Sequence, residues 1–368
     1  MYLSDFYLRG YRNYREERFE FDPGVNLIIG KNAQGKTNLL EGIGYLGSGK
    51  SFRAQKTGEL IRFGSDFGEL EGRIFSQDRE QSLRFLLFPG GRSRQMFRNG
   101  VKKKALSDIA GVLPTVLFCP EDLMVLKSGA AQRRRMGDYV LCQLRPNYDA
   151  ALTEYNRLLE RKSRILKDHF DNPKLLDILP DYNLRLCQVG ALLISYRSRF
   201  YQGLGQEAQK FHWDFSGERE EFRLEYKTVS TVADPLAPVP ELTQALLEHQ
   251  QRHYRAELES AQCLTGPHKD DFEVTLSGLP LKAYGSQGQT RTAAISLKIA
   301  QRELMAREIG EQPVLLLDDV LSELDPGRQD FVLNQITSGQ VFITCCEPGR
   351  FTKLGKTVEI KQGKIYSE

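Results

Sequence analysis

Residues able to handle phosphate and metal stand near both ends of this 368-residue chain. The octapeptide GKNAQGKT, residues 30–37, matches the phosphate-loop pattern G-x-x-x-x-G-K-[ST]. In such a loop the backbone N–H groups of Gly30, Lys31, Asn32, Ala33, Gln34 and Gly35 converge with a helix N-terminus on a triphosphate. Lys36 adds a point charge, and Thr37 offers a hydroxyl to Mg2+. Far downstream, EQPVLLLDD runs through the apolar residues 314–317 into Asp318 and Asp319. On a buried strand that ends in acids, Asp318 would hold Mg2+ through water or Thr37, and Asp319 would polarise an attacking water. Apolar strands also run into acidic turns in many chains that bind no nucleotide, so this pair gains meaning from its company.

The loop needs a strand before it and a helix after it. VNLII, residues 25–29, supplies an apolar β-type run entered through Asp22, Pro23 and Gly24, and KTNLLEGIGYL places Leu39, Leu40, Ile43 and Leu46 at helical spacing. A second match to the same pattern, residues 44–51, starts on the last turn of that helix, with Gly47 and Gly49 as its stop. A helix C-terminus presents carbonyls and repels phosphate, so Lys36 and Thr37 are assigned to nucleotide and the second match to coincidence. Upstream of the acids, YGSQGQTRTAAISLKIAQRELM opens at Ser286 and Gly288 into a helix with Ala294, Ile295, Leu297, Ile299, Ala300 and Leu304 as its apolar face. Alone, Ser286 reads as an N-cap.

Composition bounds the rest. Apolar residues make 40% of the chain and charged residues 27%, which is globular, and 51 basic against 48 acidic residues leave +3, too little to demand a polyanion. Six cysteines show no metal or disulfide spacing, the N-terminus lacks a signal-peptide core, and no apolar run nears ~20 residues. The expectation is a cytoplasmic protein with reduced thiols and no membrane. Residues 1–118 read as strand-rich around the loop helix, with a hairpin turning at Pro89, Gly90 and Gly91; 119–261 read as helical; 262–368 bring FEVTL, LLLDD and VFITCC as strands. First and last parts are expected to share one sheet-based lobe, with the middle as an inserted helical lobe in which no a/d seam outlasts a few turns.

Together, LRGYRNY, GKNAQGKTNLLEGIGYL, GKSFR, FCPEDL, GAAQRRRMGDY, TGPHKDDF, YGSQGQ and LLLDDVLSELD resemble the ABC-type ATPase heads of the SMC and recombination-repair group, most closely the RecF family. The resemblance spans residues 8–325. It implies an α/β fold, an ABC-type P-loop ATPase head whose sheet-based lobe I is interrupted by a mainly helical lobe II without a long coiled coil. It makes Asp318 the Walker B acid, Asp319 the general base, residues 322–325 the D-loop, and Ser51, Phe52 and Arg53 a family feature. It implies that ATP with Mg2+ closes a homodimer in which Ser286, Gly288 and Gln289 act in trans on the partner's nucleotide. A weak, DNA-stimulated ATPase would act as a switch on duplex and gapped DNA at single-strand junctions, with RecR, RecO and RecA as partners in repair.

Two departures accompany it. Asp319 stands where many ABC proteins have glutamate, which suggests slow turnover, and QVFITCCEP ends without the usual γ-phosphate-sensing histidine, Thr344 occupying that stretch. For DNA the candidate clusters are Arg92, Arg94, Arg98 and Lys102 to Lys104; Arg133 to Arg135; and Arg157, Arg161, Lys162, Arg164 and Lys167, each of which also reads as a solvated face. Glu121 and Asp122 are either nucleotide sensors or helix-start acids, and His268 in GPHKDD is either a metal ligand with Asp270 and Asp271 or, since no further ligands are visible, part of a structural turn near the nucleotide site. An ABC transporter subunit would share the phosphate loop, signature and acids, but the helical insert and basic hairpin disfavour it. A translocating helicase lacks its DEx[HD] box here.

Overall fold

Period-two alternation builds the N-terminal sheet. Leu70 and Ile74 on one strand, and Leu83, Phe85 and Leu87 on the next, are buried, while the alternating Glu71, Arg73, Arg84 and Leu86 are half-buried or exposed. The computed structural model describes residues 1–346, 351 and 353–366. Its elements in chain order are β1 (Tyr2–Tyr11), β2 (Tyr14–Glu20), β3 (Val25–Ile29), α1 (Lys36–Ser48), β4 (Gly68–Ser76), β5 (Arg79–Leu87), β6 (Gln95–Arg98), β7 (Val101–Lys103) and β8 (Thr115–Phe118). Then come α2 (Ala130–Leu144), α3 (Pro146–Asp168), α4 (Leu179–Phe215), β9 (Phe222–Lys227), α5 (Val239–Ser260), β10 (Asp271–Leu276), β11 (Leu279–Pro280) and α6 (Leu281–Tyr284). The chain closes with α7 (Gln287–Ile309), β12 (Val314–Asp318), α8 (Pro326–Gln335), β13 (Val341–Cys345), β14 (Lys356–Lys361) and β15 (Lys364–Tyr366). Two compact units result, Met1–Met124 with Ala294–Glu368, and Val125–Ala293.

The first unit holds two six-stranded sheets. One is antiparallel in the order β2-β1-β4-β5-β6-β7; the other runs β15-β14-β3-β13-β12-β8 and is parallel except at β15. Leu39, Leu40, Ile43 and Leu46 of α1 share one core with Phe6 and Leu8 of the first sheet and Ile28, Leu316 and Phe342 of the second. Close approach is bought with glycine: a Cβ on Gly47 would lie 2.1 Å from the carbonyl oxygen of Leu113, and one on Gly42 3.1 Å from the Phe6 ring. β12 and β13 are buried at every position, as expected of strands covered on both faces. The hairpin expected at residues 89–91 joins β5 to β6, with Leu86 opposite Gln95 and Leu83 opposite Arg98.

The second unit is helical around a small sheet, β11-β10-β9. Its longest helix, α4, has 37 residues, about 55 Å, and packs on α3, α5 and β9 instead of projecting as an arm. Two sequence expectations shift here. FEVTL, expected with the C-terminal lobe, pairs through β10 with β9, Phe272 opposite Tyr226, so the compact divide falls after Ala293 and not at 261/262. Antiparallel pairing across residues 228–270, a segment that contains α5, leaves no periodic trace in the sequence. The one-sided apolar face expected for α7 is also corrected. Residues 292–302 are buried all round, polar Ser296, Lys298, Gln301 and Arg302 included. Lys298 Nζ is satisfied by the Leu117 carbonyl at 2.8 Å and Asp122 Oδ1 at 2.9 Å, and Arg302 donates through Nη1 and Nη2 to the carbonyls of Gln335 and Ser338, while its buried Nε meets no partner among the described residues.

Candidate functional site

The phosphate loop lies between β3 and α1, as its pattern requires. Gly30 and Gly35 take φ of 149° and 120°, and a Cβ on Gly30 would sit 2.4 Å from the Ile360 carbonyl oxygen, so backbone approaches backbone where side chains do not fit. Ala33 also adopts positive φ, at 61°. Lys36, only 7% exposed, turns its Nζ onto the carbonyls of Gly30 (2.5 Å) and Lys31 (3.1 Å) and toward Cys346 Sγ (3.5 Å). Its charge therefore lies across the loop at the positive end of α1.

The order of the second sheet brings the acids here. β13 lies between β3 and β12, and its register sets Thr344 beside Asp318 on one side and Ile28 on the other. Thr37 Oγ1 donates to Asp318 Oδ1 at 3.0 Å across 281 positions of sequence, and Thr344 Oγ1 donates to the same oxygen at 2.9 Å. The Thr344 hydroxyl also accepts from the Asp319 N–H at 2.8 Å. That bond fixes a left-handed turn at Asp319, φ 53°, which a non-glycine residue adopts only under local constraint. Asp318 is buried, and burial pushes its carboxyl above the usual carboxylate range, against the Thr344 and Thr37 hydroxyls and the positive Arg53, which favour ionisation. A buried carboxylate penalised for its charge, with a threonine hydroxyl on the same oxygen, is a donor set that suits a hard cation such as Mg2+. Thr344, placed in sequence at an uncertain sensor position, is thus the link between both acids.

Several supports had no individual role in the sequence reading. Asn13 Nδ2 donates to the Gln34 carbonyl at 2.9 Å while its Oδ1 accepts from Asn38, and Tyr14 OH donates to the Gly35 carbonyl at 2.9 Å. From the C-terminal hairpin, Gln362 N–H reaches Gln34 Oε1 at 2.6 Å and Gly363 N–H reaches the Gln34 carbonyl at 2.9 Å. The second glycine-rich match has another occupation. Ser51 Oγ donates to Glu41 Oε1 at 2.5 Å, Arg12 holds Glu41 with two bonds of 2.7 and 2.8 Å, and Arg53 Nη1 donates to Asn38 Oδ1 at 3.1 Å. At that end of α1, Arg94 puts its guanidinium on the Gly49 carbonyl and Tyr45 OH.

Ser286, Gly288 and Gln289 belong to the second unit. Ser286 Oγ accepts from the Gln289 N–H at 3.1 Å and the Ser286 N–H donates to Gln289 Oε1 at 2.8 Å, a reciprocal capping box at the start of α7. Ser286 is exposed, as is the ring of Tyr284 just before it. His268 has both ring nitrogens engaged, Nδ1 with Tyr155 OH at 2.8 Å and Nε2 with the Cys263 carbonyl at 3.0 Å, and burial lowers its pKa to about 4. Asp270 and Asp271 are taken by Arg197 and Arg133. Among the described residues no group of three or more His, Cys, Asp or Glu side chains is placed to hold a metal. Asp122 accepts from the Cys119 N–H and pairs with Lys298, while Glu121 is exposed.

The basic clusters are thinner than they read. Arg133 is buried on Asp271 at 2.6 Å, and Lys162, 1% exposed, is buried on Glu257 at 2.7 Å, so neither presents a surface charge. Arg98 is drawn to Gln81. Lys102, Lys104, Arg135, Arg157, Arg161 and Lys167 are exposed. Glu347 and Pro348, the end of the stretch weighed as a γ-phosphate sensor, lie outside the described residues. Among these residues no helix is long and apolar enough to cross a membrane.

A family model described as the RecF/RecN/SMC N terminal domain matches residues 2–366. The chain is 36% identical over 370 residues to the DNA replication and repair protein RecF of Agathobacter rectalis, covering 99% of each. It is 35% identical over 352 residues to RecF of Acetivibrio thermocellus, covering 95% of each. Among solved structures it is similar to the recombination mediator protein RecF-ATPrS in the RecFOR pathway, at TM-score 0.91 and 32% identity over 99% of this chain and 97% of that one. The corresponding RecF-ATP structure gives a TM-score of 0.87 with the same identity and coverage. The Smc head domain with an extended coiled coil from Pyrococcus furiosus, at 16% identity and TM-score 0.57, shares the fold.

Proposed function

The chain belongs to the RecF family, and from that premise we propose that it is an ATP-dependent DNA-binding protein of recombinational repair, built to close as a homodimer around two ATP molecules. The observation that carries the nucleotide part is the meeting of Thr37 and Asp318 at 3.0 Å beside Lys36, at a helix N-terminus whose flanking glycines admit no side chain. Relatives of this length and identity include ATP-bound RecF structures, which supports ATP as the nucleotide.

In this reading the backbone of residues 30–35 and Lys36 bind the triphosphate, and Thr37 with Asp318 hold Mg2+, which neutralises phosphate charge when bound. Thr344 orients both acids. Asp319 takes the proton of the attacking water; its side chain is one methylene shorter than glutamate, which fits slow turnover. The exposed Ser286, with Gly288 and Gln289, contacts the nucleotide of the second copy. Exposed cations on the β6–β7 hairpin and α3 meet DNA phosphates without reading bases, so affinity falls steeply with salt. The dimer binds duplex DNA near single-strand gaps and, with RecR and RecO, helps load RecA; hydrolysis resets it.

The test is the mass of the protein in solution with ATP and Mg2+, with and without duplex DNA. A dimer that forms with ATP in the wild type and is absent in Ser286→Arg is expected. A wild type that stays monomeric under saturating ATP, or a Ser286→Arg variant that dimerises normally, overturns the reading.

A further inference from the structure

The capping box at Ser286 does not stand alone. Gln289, whose Oε1 accepts the Ser286 N–H, sends its Nε2 to Glu220 Oε1 at 2.7 Å, and the other oxygen of Glu220 lies 3.0 Å from Nε2 of His212. Three separated segments meet in this line: the last turn of α4, the connection from α4 to β9, and the start of α7. His212 is fully buried, and its Nδ1 meets no partner among the described residues. The ring therefore carries its proton on Nε2 and donates it to Glu220. Burial pushes the imidazole pKa down, ahead of the opposing pull of Glu220, which keeps the ring neutral and the donor direction fixed.

This arrangement decides the orientation of an amide that is otherwise free to flip. A carboxylate accepts and cannot donate, so Gln289 must turn Nε2 toward Glu220, which leaves Oε1 to face the Ser286 N–H. Ser286 Oγ meanwhile accepts from the Gln289 N–H, so the hydroxyl proton is left to donate outward. With Glu220 absent, the amide gains a second rotamer, and the Ser286 N–H loses its fixed partner.

We infer that Glu220, backed by His212, is a positioning residue for the trans phosphate contact, holding Gln289 and through it Ser286 in the orientation that a triphosphate on a second copy of the chain requires. The inference rests on the trans role proposed above for Ser286. A plain alternative is that Glu220 only fastens α7 to the turn after α4, contributing to stability and nothing more.

The experiment is a double-mutant cycle on ATP-dependent dimerisation, measured by sedimentation equilibrium with ATP and Mg2+, with a fluorescent ATP analogue reporting binding by the single chain. Glu220 is partly exposed on a connecting segment, so Glu220→Ala is expected to fold and to bind the analogue as the wild type does. Its dimerisation constant should weaken about 10- to 100-fold, the loss of one charge-assisted hydrogen bond at each of two sites. Gln289→Ala should weaken it similarly, and the double variant should be no worse than the weaker single one, because both act through one contact. Glu220→Gln keeps a hydrogen-bonding side chain of the same length, but its amide donates as well as accepts and no longer dictates the Gln289 orientation, so it should weaken dimerisation by a similar factor while leaving the fold and single-chain ATP binding unchanged. Wild-type dimerisation in Glu220→Ala or in Glu220→Gln, or additive losses in the double variant, would each overturn the inference. A wild type that does not dimerise with ATP would instead overturn the trans-site reading beneath it.

Discussion

Residues 30–37 and 44–51 match one phosphate-loop pattern, yet α1 puts them at its opposite ends, and the protein treats those ends oppositely. At the N-terminal end Gly30 and Gly35 hold positive φ, the Asn13 and Tyr14 side chains bond loop carbonyls from outside, and the Lys36 ammonium lies on the carbonyls of Gly30 and Lys31. At the C-terminal end Gly47 admits the Leu113 carbonyl, Gly49 closes the helix on Tyr45, and Arg94 lays a cation on the Gly49 carbonyl. A cation is what a helix C-terminus attracts, and it is the reverse of a phosphate site. The hydroxyl of Ser51, which the pattern would offer to Mg2+, is committed to Glu41 and to the N–H groups of Arg53 and Ala54. A motif thus acquires its chemistry from the end of the helix dipole on which it falls.

That contrast is open to direct attack at both ends. Lys36→Ala should lower ATP affinity at least about 100-fold, about 2.7 kcal/mol, while the protein still melts cooperatively; equilibrium binding of labelled ATP decides it, and retained affinity would undo the assignment of the first stretch. Arg12→Ala should destabilise the fold by about 3 kcal/mol in urea unfolding, because it strips the guanidinium from the fully buried Glu41 that Ser51 also serves. A change below about 1 kcal/mol would mean that the second stretch has no such structural office. Arg94→Ala should cost about 1 kcal/mol through the C-terminus of α1, with ATP affinity unaltered. Lys50→Ala, the counterpart of the first substitution, should shift ATP affinity less than about twofold, the smallest effect of the four; a loss comparable with Lys36→Ala would put nucleotide at the wrong end of the helix.

The elements nearest the nucleotide were legible because strong local signals agree there. Turn residues, an apolar pentapeptide, the glycine loop and the spacing of Leu39, Leu40, Ile43 and Leu46 all point to strand, loop and helix, and β3 and α1 follow. Asn13, Tyr14 and the Gln362–Gly363 turn were not legible as supports for the loop, since a side chain that bonds a distant backbone carbonyl obeys no period. The same reason hid the burial of Lys162 and Arg133. In sequence they extend basic runs, and only the approach of Glu257 and Asp271 turns them inward.

From sequence alone came the candidate residues and the chemistry proposed for them: a phosphate loop, a strand ending in Asp318 and Asp319, and Ser286 opening a helix, in a chain of the RecF family. These are properties of composition and spacing along a few residues, where periodicity and charge act locally. Tertiary structure decided that β13 would lie between β3 and β12, so that Thr344 holds Asp318 and Asp319 together, and that Glu220 and His212 would stand behind Gln289. Strand order and buried hydrogen bonds depend on which distant segments exclude water together, and that is settled only when the whole core has closed.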